Sequence, residues 1–406
     1  MHKLAALAIL TSAVTVAAPS RAAPAPSAPP NRPPSSKIPA IERIARDALK
    51  RYHLRAFVVQ VRSHGLNVYT KAFGDSMYGV RATPQMHFRN GAMAFTELST
   101  LLLEMVDQGK ARLDDKLSRY VPNLPHANEI TLKNLANMTS GYADYVYQPE
   151  VLHGVNQNPF RHWTGDELIR IGTSKPMMFA PGANWGYSHT NYVILGRVLE
   201  KISGMPLNAA MRRYIFGPMG LRATFGFSTP QIPEPVLHAY SCERRADLGV
   251  KRGVLFYEES TFWDPSWTTA PGAVQVTDIT DMSKTMESVG NGTVLSKRSF
   301  AEQVGPNVVG FGHSMRGCAA CHRMTKSFNY GLGVVNLGPW VTQTKNFAGS
   351  GASVGYLRAM KLTVTVVTTY LPAAFDVDGN YTNASEAIFS DMANTLAPNT
   401  VPKRSP

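Results

Sequence analysis

The stretch FRNGAMAFTELSTLLLEMVDQGKARLDD, residues 88–115, decides how the rest of this 406-residue chain is read. Residues 98–106 are strongly apolar and contain neither Pro nor Gly, which predicts a buried helix. Gly109 follows where a glycine can take the C-terminal cap. The lead-in is Phe88, Arg89, Asn90 and Gly91, and then come Ala92 and, three residues on, Phe95. An alanine methyl cannot attack a carbonyl, and a phenyl ring cannot exchange a proton.

Upstream, Ile41, Ile44, Ala45, Ala48 and Leu49 predict a helix over 41–54 with one buried stripe. AFVVQV (56–61) and LNVYTKAF (66–73) predict strands joined by a turn at Ser63, His64 and Gly65. Downstream, residues 130–141, ITLKNLANMTSG, read as a short helix and a glycine-ended loop, and 164–175 and 190–204 read as helices. From Tyr330 the character changes. YGLGVVNL, WVTQTKNF and KLTVTVVTTYL are strand-like, and the last is continuous enough to lie centrally in a sheet. Residues 382–396 close the chain as a helix. Strands at both ends with helices between them predict one α/β (α+β) sheet assembled from both termini, with a mainly helical subdomain inserted over roughly 110–300.

The N-terminus reads as an export signal over 1–22: Lys3, an apolar run, and small residues around Ser20-Arg21-Ala22. The run is short for a membrane anchor, and no second apolar span follows. Residues 23–38 are rich in Pro, Ala and Ser and read as an extended spacer. The folded domain is expected over 39–400, with a tail at 401–406. The expected location is exported: extracellular, periplasmic or cell-wall-associated. The formal net charge of +13 suits an anionic envelope surface. No basic run interleaved with aromatics, zinc-finger spacing or glycine loop feeding a basic helix points to nucleic acid.

The lead-in and helix resemble the nucleophile segment of the serine beta-lactamase and penicillin-binding-protein family, class C beta-lactamase-like and most similar to its secreted serine D-alanyl-D-alanine carboxypeptidases. That family carries Ser-x-x-Lys after Phe-Arg-x-Gly; here the serine position is Ala92 and the lysine position Phe95. Asp114, Asp115, Tyr120, Val121, Pro122 and Pro125 resemble the connection after the helix, and 130–141 resembles the Thr-Ser-Gly segment. The Tyr-x-Asn motif aligns with Tyr187 and His189, after Pro181-Gly182 and before Asn191, Tyr192 and Gly196. The basic residue of the third motif aligns with Gly349, leaving Ser350 and Gly351. The resemblance implies an antiparallel sheet flanked by helices, and a cleft in which Tyr187, Ser188, His189, Ser350 and Gly351 contact ligand.

With these degenerate positions, the expectation is a catalytically silent exported protein that binds a peptidoglycan stem peptide or regulates an envelope partner. The alternative is a serine hydrolase, of carboxypeptidase or esterase type, with catalytic groups relocated around Tyr187, His189 and Ser350. Loss of the cations at 95 and 349 implies weak binding of a carboxylate, unless a Lys or Arg from elsewhere replaces the charge.

Cys318-Ala-Ala-Cys-His322 matches the c-type haem attachment pattern, and Cys318, Cys321 and His322 offer three zinc ligands without an evident fourth. In an exported chain a disulfide among Cys242, Cys318 and Cys321 is the better reading. No metal or cofactor is expected.

Overall fold

A computed structural model describes residues 35–226, 229–271, 273–305 and 308–402. The export signal, most of the Pro-rich spacer and residues 403–406 lie outside them. The last residues of that spacer, Ser35–Lys37, form a 3-10 turn leading into helix α1, Ile38–Arg51. The helix therefore begins and ends three residues earlier than the sequence spacing suggests, because Leu54 is already in the first strand.

The core is an eight-stranded antiparallel sheet. Its strands are β1 Leu54–Ser63, β2 Leu66–Met77, β3 Val80–Arg81, β4 Phe328–Tyr330, β5 Val335–Leu337, β6 Trp340–Phe347, β7 Ser350–Leu357 and β8 Leu362–Tyr370. Their spatial order is β3-β2-β1-β8-β7-β6-β5-β4, so the two ends of the chain meet where β1 pairs with β8. β8, the centre of the KLTVTVVTTYL segment, is buried at every residue from Leu362 to Tyr370 between β1 and β7, as its β-branched run implies. Side chains alternate across the sheet. Phe57, Val59 and Val61 face one core with α1 and the closing helix Ser385–Leu396; Ala56 and Val58 face the other.

On that second face lies α2, Met93–Asp107, with twelve of its fifteen residues buried. Ala, Leu, Met and Glu favour helix, and a helix apolar on most sides belongs in a protein interior. It starts five residues before the apolar run, since Met93, Ala94 and Phe95 are buried too. Gln108 is its C-cap, and Gly109 takes the left-handed backbone expected of it. Helix α3, His189–Ser203, packs beside α2 and ends on the left-handed Gly204. No described helix is long and apolar enough to cross a membrane.

β6 and β7 are joined by the two-residue turn Ala348-Gly349, both at positive φ. Gly349 has φ +77°, and a Cβ there would lie 1.7 Å from the Tyr240 carbonyl oxygen. The short strand Tyr240–Ser241 thus straps the turn, and no side chain fits beneath it. Gly220 has φ +67° with open space around it. Gly220→Ala should therefore cost only the left-handed penalty of about 1–2 kcal/mol. Gly349→Ala must also displace backbone and should be clearly more destabilising in urea unfolding. Equal losses would contradict the strap.

Candidate active site

The candidate positions gather where α2 packs against β6 on one side and α3 on the other. Ala92 is the N-cap of α2, without a side-chain cap, and is only partly buried. Phe95 is 1% exposed. Its ring stacks on Tyr192 at 4.2 Å between centroids and lies 5.7 Å from Tyr187 and 5.4 Å from His189. Such ring contacts are worth about 0.5–1.5 kcal/mol each beyond burial. The place expected for a lysine is therefore the centre of an aromatic cluster.

On the α3 side, His189 Nδ1 and Asp144 Oδ2 are 2.9 Å apart. Asp144 is almost fully buried, and its Oδ1 accepts from the Val146 backbone N–H at 3.1 Å. Tyr187 stands edge-on to His189 at 5.3 Å. Burial, then the Asp144 charge, pushes its phenol well above the ordinary range, so it stays protonated. Ser188 is fully buried as the N-cap residue of α3 and does not reach the surface. Its hydroxyl has no hydrogen-bond partner among the described residues.

On the sheet side, Lys345 of β6 and Ser350 of β7 point to the same face. Lys345 Nζ donates to Ser350 Oγ at 2.6 Å. Both residues are buried, at 2% and 4% exposed. The lysine lies beneath the entry to α2: a Cβ on Gly91 would sit 2.6 Å from Lys345 Cγ, and the ammonium is 5.2 Å from the Phe88 ring centre. Burial, helped by the Arg89 charge, lowers the Lys345 pKa to about 7. A neutral amine hydrogen-bonded to a serine hydroxyl can accept its proton, which is the arrangement an activated nucleophile needs. Gly351 is buried beside Asn383 and leaves room for nothing larger than hydrogen.

The contacts decide three points that the sequence left open. Tyr187, His189 and Ser350 do not form one hydrogen-bonded set: His189 is bonded to Asp144, and Ser350 to Lys345. A lysine does stand beside Ser350, because Lys345 reaches it from the neighbouring strand. Cys242 is a free, buried thiol that donates to the Phe256 carbonyl at 2.9 Å, whereas Cys318 and Cys321 are joined to each other. Lys345 and Asp144 were both missed. The signal for Lys345 was the period-2 alternation of WVTQTKNF, which puts it on the face of core residue Val341.

This sheet, the buried helix at its face and the motif remnants around the cleft define the serine-hydrolase-like α/β class. The beta-lactamase family model matches residues 41–388, and the chain belongs to that family. Esterase EstB of Burkholderia gladioli is 25% identical over 303 residues, covering 68% of this chain and 76% of the esterase. Penicillin-binding protein 4* of Bacillus subtilis (strain 168) is 34% identical over 149 residues, 36% of this chain and 31% of that protein. A further Bacillus subtilis penicillin-binding-protein match likewise spans only 38% of its relative. Among solved structures, D-amino acid amidase from Ochrobactrum anthropi SV3 complexed with D-phenylalanine superposes with a TM-score of 0.73 at 18% identity. The superposition covers 89% of this chain and 99% of the amidase, and at that identity it shows the fold.

The Lys345 burial has a thermodynamic consequence. Its folded pKa of about 7 lies below the ordinary lysine value of 10.5. Below pH 7 both states are protonated and the cost of burying the ammonium is fully present. Between about 7 and 10.5 the unfolded chain holds the extra proton, so this contribution to stability rises with pH. Lys345→Met should be more stable than wild type at pH 6, with the gap narrowing as pH approaches 10, in denaturant titrations across that range. A pH-independent gap would contradict the depressed pKa.

Proposed function

We propose that this chain is an exported hydrolase of small esters or amides whose nucleophile is Ser350, with Lys345 as its base. The hydrogen bond of 2.6 Å between two buried side chains beneath the entry to α2 carries this reading. The lysine pKa of about 7 supports it, because a general base works best when its pKa is near the working pH. The naming of family relatives as an esterase and an amidase agrees with the substrate class.

In this mechanism the neutral Lys345 amine takes the Ser350 proton as Oγ attacks the substrate carbonyl carbon. The tetrahedral adduct collapses, and the Lys345 ammonium gives the proton to the departing alcohol or amine, leaving an acyl-Ser350 ester. Water then attacks that ester while Lys345 again takes its proton. Collapse of the second adduct breaks the acyl bond, Ser350 Oγ is reprotonated by Lys345, and the carboxylic acid leaves. The positive end of α2, beside Gly91 and Ala92, favours the developing oxyanion.

A second reading, a silent binding or regulatory protein of the envelope, is favoured by one observation: Phe95 fills the lysine site as a packed aromatic core. Both readings leave position 92 without acyl chemistry, so a penicillin probe should not label it. They part at Ser350. The hydrolase reading expects turnover of p-nitrophenyl esters that rises with pH through about 7 and falls about 100-fold or more in Ser350→Ala and in Lys345→Met. A fluorophosphonate adduct at Ser350 should appear in wild type only. Folded protein without turnover or adduct would leave the silent reading.

A further inference from the structure

A cavity of about 650 Å³ shares Tyr187 with the expected ligand contacts but is lined by neither Ser350 nor Lys345. One wall is Tyr187 and the segment Ala143, Asp144, Tyr147 and Gln148; the opposite wall is the loop closed by the Cys318–Cys321 disulfide, with Met315 and Arg316. Cys321 forms a β-bridge with Gly186, and a Cβ on Gly186 would meet the Cys321 sulfur at 3.2 Å. The loop is thus held directly against the residue that precedes Tyr187.

We propose that this cavity binds a primary ammonium carried on a small apolar or aromatic body, with Asp144 as counter-charge and the rings of Tyr147 and Tyr187 as walls. The Asp144 side chain is 5% exposed, and one contact to each oxygen, from Val146 N–H and from His189, leaves lone pairs for a further donor. A buried carboxylate of this kind gains from a cation. Aromatic faces add to the attraction, and burial, then the Asp144 charge, keeps the Tyr187 phenol neutral. Pro176, Met178 and Met315 supply apolar surface for the body of the ligand. Arg316 is exposed on the rim, where solvent weakens its repulsion of a bound cation without abolishing it. No group of three or more metal-ligating side chains is assembled among the described residues, so an organic cation suits the site better than a metal. The inference holds whether or not Ser350 turns over.

The test is calorimetric titration of the Ser350→Ala protein, which cannot react through Ser350, with benzylammonium, benzyl alcohol and benzoate. Benzylammonium should bind about tenfold tighter than the alcohol, as expected for one charge-assisted hydrogen bond, and benzoate weakest. Asp144→Asn, which keeps a capping amide for the following turn, should bring benzylammonium down to the level of the alcohol. Tyr147→Ala should weaken it about two- to fivefold. If Asp144→Asn does not fold, Arg316→Glu on the exposed rim should tighten benzylammonium. Equal affinity for ammonium and alcohol, tighter benzoate, no loss in a folded Asp144→Asn protein, or no gain in Arg316→Glu would overturn the proposal.

Discussion

The organisation of this protein depends on the burial of the first turn of α2 against the sheet. A Cβ on Gly333 would lie 2.3 Å from the Phe95 carbonyl oxygen, and Thr96 Oγ1 donates to the Gly333 carbonyl at 2.6 Å. On the other side, Gly91 sits on the Lys345 stem. Helix and strands approach this closely only because glycines stand at the contacts. The approach fixes where Ala92 faces, which side chains can lie beneath it, and how near β6 and β7 come to α3.

That approach also explains why a phenyl ring at 95 is compatible with an intact fold. An ammonium at 95 would need a partner in a site walled by Tyr187, Tyr192 and His189. A phenyl ring gains stacking there. A lysine stands on the sheet side, where a serine hydroxyl accepts its hydrogen bond. Burial, then the nearby Arg89 charge, favours the neutral form of the Lys345 amine, and this links the packing of the fold to the proposed chemistry.

Much of the fold was legible in the sequence because its signals are local. The hairpin turn at His64-Gly65, the continuous run of β8 and the apolar stretch of α2 each contain their own explanation. The helix starts were less legible: Met93 to Phe95 join α2 because of what packs on them, not because of propensity. The roles given to positions 92, 95 and 349 rest on motif resemblance alone. Lys345 and Asp144 could not be read that way, since neither belongs to a motif and each acquires its partner through the fold, across a turn or over 45 residues. Period-2 alternation could have placed Lys345 in the core, where a lysine is a signal in itself.

Gly349 and Lys345 are best understood together. The Tyr240–Ser241 strap lies so close to the turn that position 349 accepts only glycine. With this strap in place, a basic side chain cannot stand where the third motif of the family would have it. A cation can still reach Ser350 from one other direction, the same face of the paired strand. Lys345 pairs with Ala352, two residues from Ser350, so its side chain runs diagonally to the serine across the sheet. The geometry of one hairpin thus excludes a charge at one position and admits it at another, and the hydroxyl between them is left hydrogen-bonded to an amine that titrates near neutrality.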